Sequence, residues 1–460
     1  MDSKTSKPSR RGRVLLYTLQ IIALVIALGF FTRNVFPSKS TPTPPPAPPY
    51  AFNPHKPYDP SDWKQPQAQH LSCLNTTSTF TTSLSHNLTS SNLYSWSLTD
   101  SSPTPPNNAT LRGEISVQKG TIHQAADIHI VITARSTHPV DPGTLDVIVS
   151  PSGISIAYTP SQDQSCTTLH ILILLRPTPT RHMHALTLRT QILDISIQDT
   201  LAWEIDTLST HTSHGTLTFD DPHSTWSKPL IIHTFIASSL TGYLFAALAA
   251  HGQIILRNEQ GGIGVPLLPR NSGPFRLERL QLSTRSGAIR TEMYARKWPA
   301  PARAFDHIVQ IHSASGAIEA GVPHGVFSYV SSVSADVLVG LFPSGGIYNS
   351  EIYTYSQRGS TWFRLWDVLP QWGEGALGQM LSAHRVGVGE LRVKYPAEWF
   401  GMLVGRVGEG SVEVEGEGLV GVERGEGWMR ARRGEGGMGI LLGEVGRGGM
   451  SVRVGVGLRE

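Results

Sequence analysis

Two stretches in the second half of the chain decide the fold: LSTRSGAI at residues 282–289 and IHSASGAI at residues 311–318. Each has an aliphatic residue five positions before the glycine, a serine directly before it and an isoleucine two positions after it. VSSVSADV at 330–337 keeps this spacing with alanine in place of glycine, and LRNEQGGI at 256–263 keeps it with glutamine in place of serine. The pattern predicts a repeated unit of strand, tight turn and strand.

Looser copies extend the set to eight turn positions, which are Gly242, Gly261, Gly287, Gly316, Ala335, Gly389, Gly410 and Gly448. The gaps between them are 19, 26, 29, 19, 54, 21 and 38 residues, and we interpret the larger gaps as a coil plus an insertion. A period of about 20 residues is typical of a β-solenoid, in which each coil stacks on the next. Glycine at the turn would allow a positive φ, which other residues resist.

Identical offsets from the turn predict that equivalent side chains stack in successive coils. The neighbour of an inward residue lies on the opposite face of its strand, so Arg290 and Glu319 are expected to point outward. The six side chains that we expect to point inward are Leu282, Ile289, Ile311, Ile318, Val330 and Val337.

The last 60 residues contain 19 glycines, and Gly-Glu-Gly recurs at 408–410, 416–418, 425–427 and 434–436. Apolar and polar residues alternate between these triplets, which favours short strands joined by glycine turns over low-complexity disorder. The sequence therefore predicts an all-β fold, with residues 229–460 forming a β-solenoid of roughly 20-residue coils.

Residues 71–228 are also predicted to be β-rich. The segments 127–132, 145–149 and 169–174 are short, rich in β-branched residues and separated by Pro, Gly or Ser. This region could be a β-sandwich or the first coils of a longer stack, and the sequence leaves both possibilities open.

The N-terminal part has the features of a membrane anchor. The run VLLYTLQIIALVIALGFF at 14–31 is uncharged, so we expect a cytoplasmic tail at 1–13 and a transmembrane signal-anchor at 14–36. A signal peptide cleaved near Ala27-Leu28-Gly29 is the alternative. Five basic residues precede the run and two follow it, which places the N-terminus in the cytoplasm and the rest outside: Lys4, Lys7, Arg10, Arg11 and Arg13 against Arg33 and Lys39.

A second uncharged stretch covers residues 229–256. It contains polar residues such as His233, Ser238 and His251, which are costly in hydrocarbon. Because Gly242 falls within it, we interpret the stretch as a coil of the solenoid.

Residues 37–70 form a proline-rich linker, with 11 prolines between 37 and 66. Such a segment favours the extended polyproline II conformation and acts as a semi-rigid spacer. Three sequons follow, which predict glycosylation at Asn75, Asn87 and Asn108.

Cys73 and Cys166 are the only cysteines in the chain. In an oxidising compartment they most simply form one disulfide, and two isolated buried thiols are the alternative.

The charge balance excludes one class of function. There are 38 basic and 35 acidic residues, a net charge of +3, so the chain has no electrostatic footprint for nucleic acid. Charged residues make up 16% of the chain, against roughly 25% in an average globular protein, which disfavours a coiled coil.

The repeated Ser-Gly-Ala-Ile turns, LRVKYPAEWFG at 391–401, ARRGEG at 431–436 and GRGGMSVRVG at 446–455 resemble fungal members of an adhesin-like family of unknown function. The resemblance covers about 229–455, and it implies a β-solenoid related to the head domains of bacterial adhesins. The chain departs from the Ser-Gly pattern at three turns, where Val388, Glu409 and Arg447 precede the glycine. The family supplies no catalytic residues.

The motifs of common enzymes are missing or lack their context. Three GxGxxG matches, at 373–378, 416–421 and 434–439, open no helix within a βαβ unit, and there is no P-loop or GxSxG motif. We interpret His182, His184, His211 and His214 as strand or loop histidines and expect no metal site. The three Asp after residue 250, at 306, 336 and 367, lie in different segments, so paired catalytic aspartates are not expected.

The sequence thus predicts a non-enzymatic, single-pass membrane protein without a cofactor, which binds a glycan, the cell wall or a surface protein. A carbohydrate-active enzyme on the same scaffold and a purely structural surface protein are the alternatives. Paired carboxylates in a groove would favour the enzyme. An exposed aromatic row would favour glycan binding, and the candidates for it are Trp362, Trp366, Trp372 and Trp399.

Overall fold

The coordinates come from a computed structural model. It describes residues 80–88, 95–102, 110–137, 144–159, 166–178, 181–198, 203–220, 231–249, 251–268, 276–293, 306–343, 349–367, 377, 379–434 and 439–455. The chain divides into two units, Met1–Pro49 and Tyr50–Glu460, and all described residues belong to the second. The predicted tail at 1–13, the anchor at 14–36 and the linker at 37–70 lie outside the described residues.

The described residues contain 32 strands. Their bounds are β1 Phe80–Leu88, β2 Ser95–Asp100, β3 Thr110–Lys119, β4 Ile128–Ser136, β5 Leu145–Ser150, β6 Gly153–Tyr158, β7 Cys166–Leu175, β8 Arg181–Thr190, β9 Asp194–Gln198, β10 Trp203–Thr212, β11 Leu217–Asp220, β12 Ile231–Ser239, β13 Leu244–Ala246, β14 Leu248–Ala249, β15 His251–Asn258, β16 Ile263–Leu268, β17 Arg276–Thr284, β18 Ile289–Met293, β19 Ile308–Ser313, β20 Ile318–His324, β21 Phe327–Ser332, β22 Val337–Pro343, β23 Ser350–Arg358, β24 Thr361–Leu365, β25 Met380–Val388, β26 Leu391–Tyr395, β27 Gly401–Glu409, β28 Val412–Gly416, β29 Leu419–Gly425, β30 Trp428–Arg433, β31 Gly439–Arg447 and β32 Met450–Val454.

These strands form two long sheets of sixteen strands each, and most neighbours run parallel. Sheet A has the order β1-β4-β7-β3-β9-β11-β13-β16-β18-β20-β22-β24-β26-β32-β28, with β14 also beside β16. Sheet B has the order β29-β30-β27-β31-β25-β23-β21-β19-β17-β15-β12-β10-β8-β2-β6-β5. One hydrophobic core cluster extends from Trp96 to Val454. The all-β prediction is confirmed for the part of the chain that the structure describes.

From β15 to β24 the chain alternates between the two sheets, with odd-numbered strands in sheet B and even-numbered strands in sheet A. Each strand pairs in parallel with the strand two places later in the sequence. One strand from each sheet therefore makes one coil, and the coils stack as expected for a β-solenoid.

The predicted inward columns are present in both sheets. In sheet B, Leu282 pairs in register with Ile311, and Ile311 pairs with Val330. In sheet A, Ile318 pairs with Ile289 on one side and with Val337 on the other. All six side chains are at most 1% exposed, so the prediction of their direction is confirmed. Burial of each contributes about 1.5–3 kcal/mol before entropic costs.

Glycine is required at these turns because successive coils approach each other too closely for a Cβ atom. A Cβ at Gly261 would collide with the carbonyl oxygen of Gly242, and a Cβ at Gly287 would collide with that of Gly261. Neither Gly261 nor Gly287 has a positive φ, so the prediction that the turn needs glycine for a positive φ was wrong at these two positions. It holds at Gly389 and Gly448, whose φ angles are 144° and 135°.

A polar side chain three residues before the turn glycine links each coil to the previous one. Thr284 Oγ1 accepts a hydrogen bond from the Gly287 N–H at 3.0 Å and donates to the Gly261 carbonyl at 3.1 Å. Ser313 Oγ accepts from the Gly316 N–H at 2.7 Å and donates to the Gly287 carbonyl at 3.4 Å. These bonds satisfy polar groups that the core would otherwise leave unpaired. The same position accepts the turn N–H at Thr212, Ser239, Asn258 and Ser332.

The described part of the stretch 229–256 belongs to the stack, as predicted. Its strand β12 pairs in parallel with β10 on one side and with β15 on the other. Strands from both sides of residue 228 therefore share the same sheets, and the β-rich region before it supplies the first coils of the stack. Within the parts of the chain that the structure describes, no helix has the length and apolarity to cross a bilayer.

At the N-terminal end of the stack, the order of strands departs from the order of the chain. β3 lies between β7 and β9, and β2 lies between β6 and β8, all in parallel. Antiparallel strands then close this end: β4 and β1 extend sheet A, and β5 extends sheet B.

The C-terminal end is also out of chain order. The coil of β31 and β32 is inserted between the coil of β25 and β26 and the coil of β27 and β28. Sheet B then ends in the antiparallel hairpin β29–β30, which pairs with β27. The described parts of this Gly-rich region form strands, as predicted. The expectation that the coils of Gly389, Gly410 and Gly448 stack in chain order was wrong.

Candidate functional site

A groove of about 510 Å³ lies on the outer face of sheet A near its C-terminal end. Strands β22, β24, β26, β32 and β28 form its floor, and these strands are consecutive neighbours in the sheet. Because side chains alternate along a strand, every second residue of each strand faces the groove.

In-register pairing aligns these outward residues into two rows that cross the strands. The first row is Leu338, Trp362, Arg392, Ser451 and Glu413, and the second is Arg364, Lys394, Arg453 and Glu415. Neighbouring strands are about 4.8 Å apart, so each row presents one side chain per strand at that spacing.

Charged side chains in the groove are held by partners close to them. Arg392 Nη2 lies 2.6 Å from Glu390 Oε2, and Arg453 Nε lies 3.2 Å from Glu415 Oε2. The guanidinium of Arg364 stacks over the ring of Trp366 at 3.5 Å. The floor is therefore lined by planar charged groups, which suit recognition by hydrogen bonds.

Two carboxyl groups follow strands of the groove floor: Asp367 comes after β24, and Glu398 lies between β26 and β27. Burial raises the pKa of Asp367, and the charge of Glu398 raises it further, while Arg364 and Lys394 oppose the shift. The sequence did not single out Glu398 as a partner for Asp367. Burial also lowers the pKa of the Arg364 guanidinium.

The described tryptophans do not form the exposed aromatic row that would favour glycan binding. Trp362 lines the groove, but Trp366 and Trp399 are buried, with 6% and 1% of their surface exposed. Trp372 lies outside the described residues. Trp366 and Trp399 therefore do not belong to an exposed row, and they pack against Phe342 and Tyr395 in the core.

The histidines that the sequence singled out lie on strands or turns of sheet B. His182 and His184 are exposed on β8, and each lies 2.9 Å from a different oxygen of Asp206 on β10. These contacts lower the pKa of Asp206. His211 and His214 instead contact hydroxyls of the next coil. Among the described residues, no three His, Cys, Asp or Glu side chains are arranged to hold a metal ion.

Three of the predicted modification sites lie outside the described residues: Asn75, Asn108 and Cys73. Asn87 is exposed on the edge strand β1, where its amide oxygen lies 2.6 Å from His129 Nδ1. Cys166 begins β7 and is half-buried. Glycosylation and the Cys73–Cys166 disulfide therefore stay predictions.

No protein-family model matches the chain, and no curated protein matches it. Among solved structures, the chain matches a crystal structure from Clostridium sporogenes of a protein named for an inferred role in cell adhesion. The match has 8% identity, covers 82% of this chain and 100% of that chain, and has a TM-score of 0.14. At this score the likeness carries no argument about function.

Proposed function

We propose that the chain is a single-pass membrane protein whose extracytoplasmic β-stack binds partners at the cell surface in the manner of an adhesin. The observation that carries this proposal is the groove on sheet A, where five neighbouring strands present aligned aromatic and charged side chains. A regular stack offers an extended face of this kind, and such faces are used for binding in repeat proteins. The candidate partners are a glycan, the cell wall or a surface protein, and nucleic acid is not among them.

The orientation follows from the basic residues before the run at 14–31. Glycosidase treatment of the chain from a eukaryotic host should increase its gel mobility, because Asn75, Asn87 and Asn108 would lie outside. An unchanged mobility, together with cleavage of the N-terminus by protease added to intact cells, would reverse the orientation.

Binding is tested with the full-length chain, which is screened against glycan panels, isolated cell walls and intact cells. We expect retention on at least one surface without release of reducing sugar. If no surface retains the chain, the binding function is wrong.

The alternative function is hydrolysis of a polysaccharide, and the raised pKa of Asp367, caused by burial and then by the charge of Glu398, is the observation that favours it. A carboxyl group with a raised pKa beside a second carboxylate is the arrangement that glycoside hydrolysis uses. Release of reducing sugar that disappears in Asp367→Asn would establish the enzyme and replace the binding proposal.

A further inference from the structure

We propose that the groove on sheet A binds a saccharide chain that lies across the strands, along the direction in which the coils stack. This inference rests on the proposed binding function and specifies its ligand.

The pairing of the strands excludes recognition by main-chain hydrogen bonds. β24, β26 and β32 each have a parallel neighbour on both sides, so their N–H and C=O groups are used within the sheet. A peptide could add as a strand only at the edge of the sheet and not on this face. A ligand in the groove is therefore recognised by side chains alone.

The chemistry of these side chains suits a sugar ring. A pyranose has an apolar face that stacks on an aromatic ring and a rim of hydroxyls that both donate and accept hydrogen bonds. Trp362 supplies the ring, which is partly exposed on the outer face of β24, while its Nε1 atom is buried and does not face the ligand. Arg392 and Ser451 supply donors beside it, and Glu413 supplies an acceptor at the far end of the row.

The spacing of the row suits a chain of such rings. Trp362 and Glu413 are three strands apart, which corresponds to about 14 Å. The strand spacing of about 4.8 Å is close to the length of one pyranose in an extended chain. The row therefore has room for about three consecutive rings, with Trp362 stacking on one and the polar side chains reaching the hydroxyls of the others.

The arginines leave open whether the rings carry carboxylates. Arg392 is paired with Glu390 and Arg453 with Glu415, yet Arg364 and Lys394 add positive charge to the second row. Neutral and acidic saccharides share the ring chemistry on which the proposal depends, so the experiment includes both.

The test is isothermal titration of the full-length chain with three linear hexasaccharides: β-1,4-linked glucose, β-1,4-linked N-acetylglucosamine and α-1,4-linked galacturonic acid. We expect at least one to bind, and we expect Trp362→Ala and Arg392→Ala each to weaken that binding by about tenfold or more. Preference for the galacturonate chain would identify the acidic class, and preference for either other chain the neutral class.

Matched controls lie on the outer face of sheet B. Tyr329→Ala removes an aromatic ring that is 37% exposed, and Arg385→Ala removes an arginine paired with Glu444 at 3.5 Å. Both should leave binding unchanged. Unfolding temperatures of all four variants show whether a loss of binding comes from a loss of folding.

The outcomes separate this inference from the function on which it rests. Binding that the groove variants leave unchanged, or that the sheet B controls weaken equally, overturns the groove as the site. Retention on cells or walls without binding of any hexasaccharide contradicts a saccharide as the ligand of the groove but still supports the surface-binding function. Absence of retention on every surface overturns both.

Discussion

At the scale of single residues, the fold depends on positions where one coil touches the next. The turn glycines have no room for a Cβ, and the inward aliphatic residues have no contact with water. Their neighbours on the outer faces are partly exposed and should tolerate substitution. Substitutions at adjacent positions of one strand should therefore differ widely in how much they lower the free energy of unfolding.

Gly287→Ala should destabilise the protein by about 1–3 kcal/mol, because the new Cβ would overlap the carbonyl oxygen of Gly261 and one coil would have to shift. Gly449→Ala is the matched control, since nothing lies within 4 Å of the Cβ position there. It should change stability by less than about 1 kcal/mol. Denaturant unfolding of both variants measures the difference, and equal midpoints would contradict the close approach.

Ile318→Asp should cost at least about 3 kcal/mol, because it buries a carboxylate without a partner in the column between Ile289 and Val337. Glu319→Ala alters the next residue, which is partly exposed and lies 3.6 Å from Arg290. Its loss should cost less than about 1 kcal/mol. Thermal unfolding followed by circular dichroism compares them, and an Ile318→Asp variant that melts no lower than Glu319→Ala would show that the register is wrong.

At the scale of elements, the C-terminal end of the stack is closed by the hairpin β29–β30, and Arg433 attaches this hairpin to the preceding coil. Its guanidinium donates to the carbonyls of Ala397 at 2.7 Å, Trp399 at 2.9 Å and Glu417 at 2.9 Å. It also lies over the ring of Phe400. One buried cation therefore satisfies several carbonyls that no strand partner reaches.

Arg433→Met keeps the length of the side chain but removes every donor. It should destabilise the hairpin by at least about 2 kcal/mol and speed hydrogen exchange across 417–433. Arg430→Met is the control, because Arg430 is exposed on the same strand. Mass-spectrometric hydrogen exchange measures the effect, and slow exchange in Arg433→Met would show that the hairpin is held by other contacts.

The spacing of the repeats predicted the coils in the middle of the stack but not the order of the coils at its two ends. Strict offsets mark coils that stack in chain order, as from Leu282 to Val337. The gap of 54 residues after Ala335 was interpreted as one coil plus an insertion, yet it contains an additional coil whose turn is at Gly359. Gly359 follows Arg358 and not a serine, so the Ser-Gly pattern missed it.

The polar residue three positions before the turn would have been a better marker of the coils, because it makes the hydrogen bond between them. Ser356 fills that position before Gly359 and donates to the Ala335 carbonyl at 3.2 Å. The order of coils at either end could not be predicted, since insertion of one coil between two others depends on contacts distant in sequence. The groove depends on that order, because β32 lies between β26 and β28.

At the scale of the whole molecule, three buried histidines couple the stability of the stack to pH. Burial lowers the pKa of His307 to about 4, and it lowers the pKa values of His324 and His384 to about 3. His384 is held between Thr354 Oγ1 at 2.8 Å and the Tyr395 hydroxyl at 3.0 Å. The folded state thus keeps all three neutral where the unfolded chain takes up protons.

The free energy of unfolding should therefore be unaffected by these histidines above the unfolded histidine pKa of about 6.5, and it should fall as the pH decreases towards 4. Each histidine contributes a slope of about 1.4 kcal/mol per pH unit in that range, or about 4 kcal/mol per pH unit for the three. His384→Gln should reduce the slope by about a third, and the exposed control His312→Gln should not. Urea unfolding at a series of pH values gives the slope, and constant stability from pH 7 to 5 would contradict the burial of these groups.

The central claim is that successive coils stack in parallel and in register, because both the core columns and the rows of the groove depend on it. Gln281 and Gln310 are outward partners on adjacent strands, so their Cα atoms should be about 4.8 Å apart and within reach of a disulfide. Gln281 and His312 are offset by two residues, about 8 Å apart and out of reach. The measurement is peptide mapping of the oxidised full-length chain with cysteines at 281 and 310 or at 281 and 312. The account predicts a crosslink only in the first variant, and a crosslink only in the second, or in neither, would contradict it.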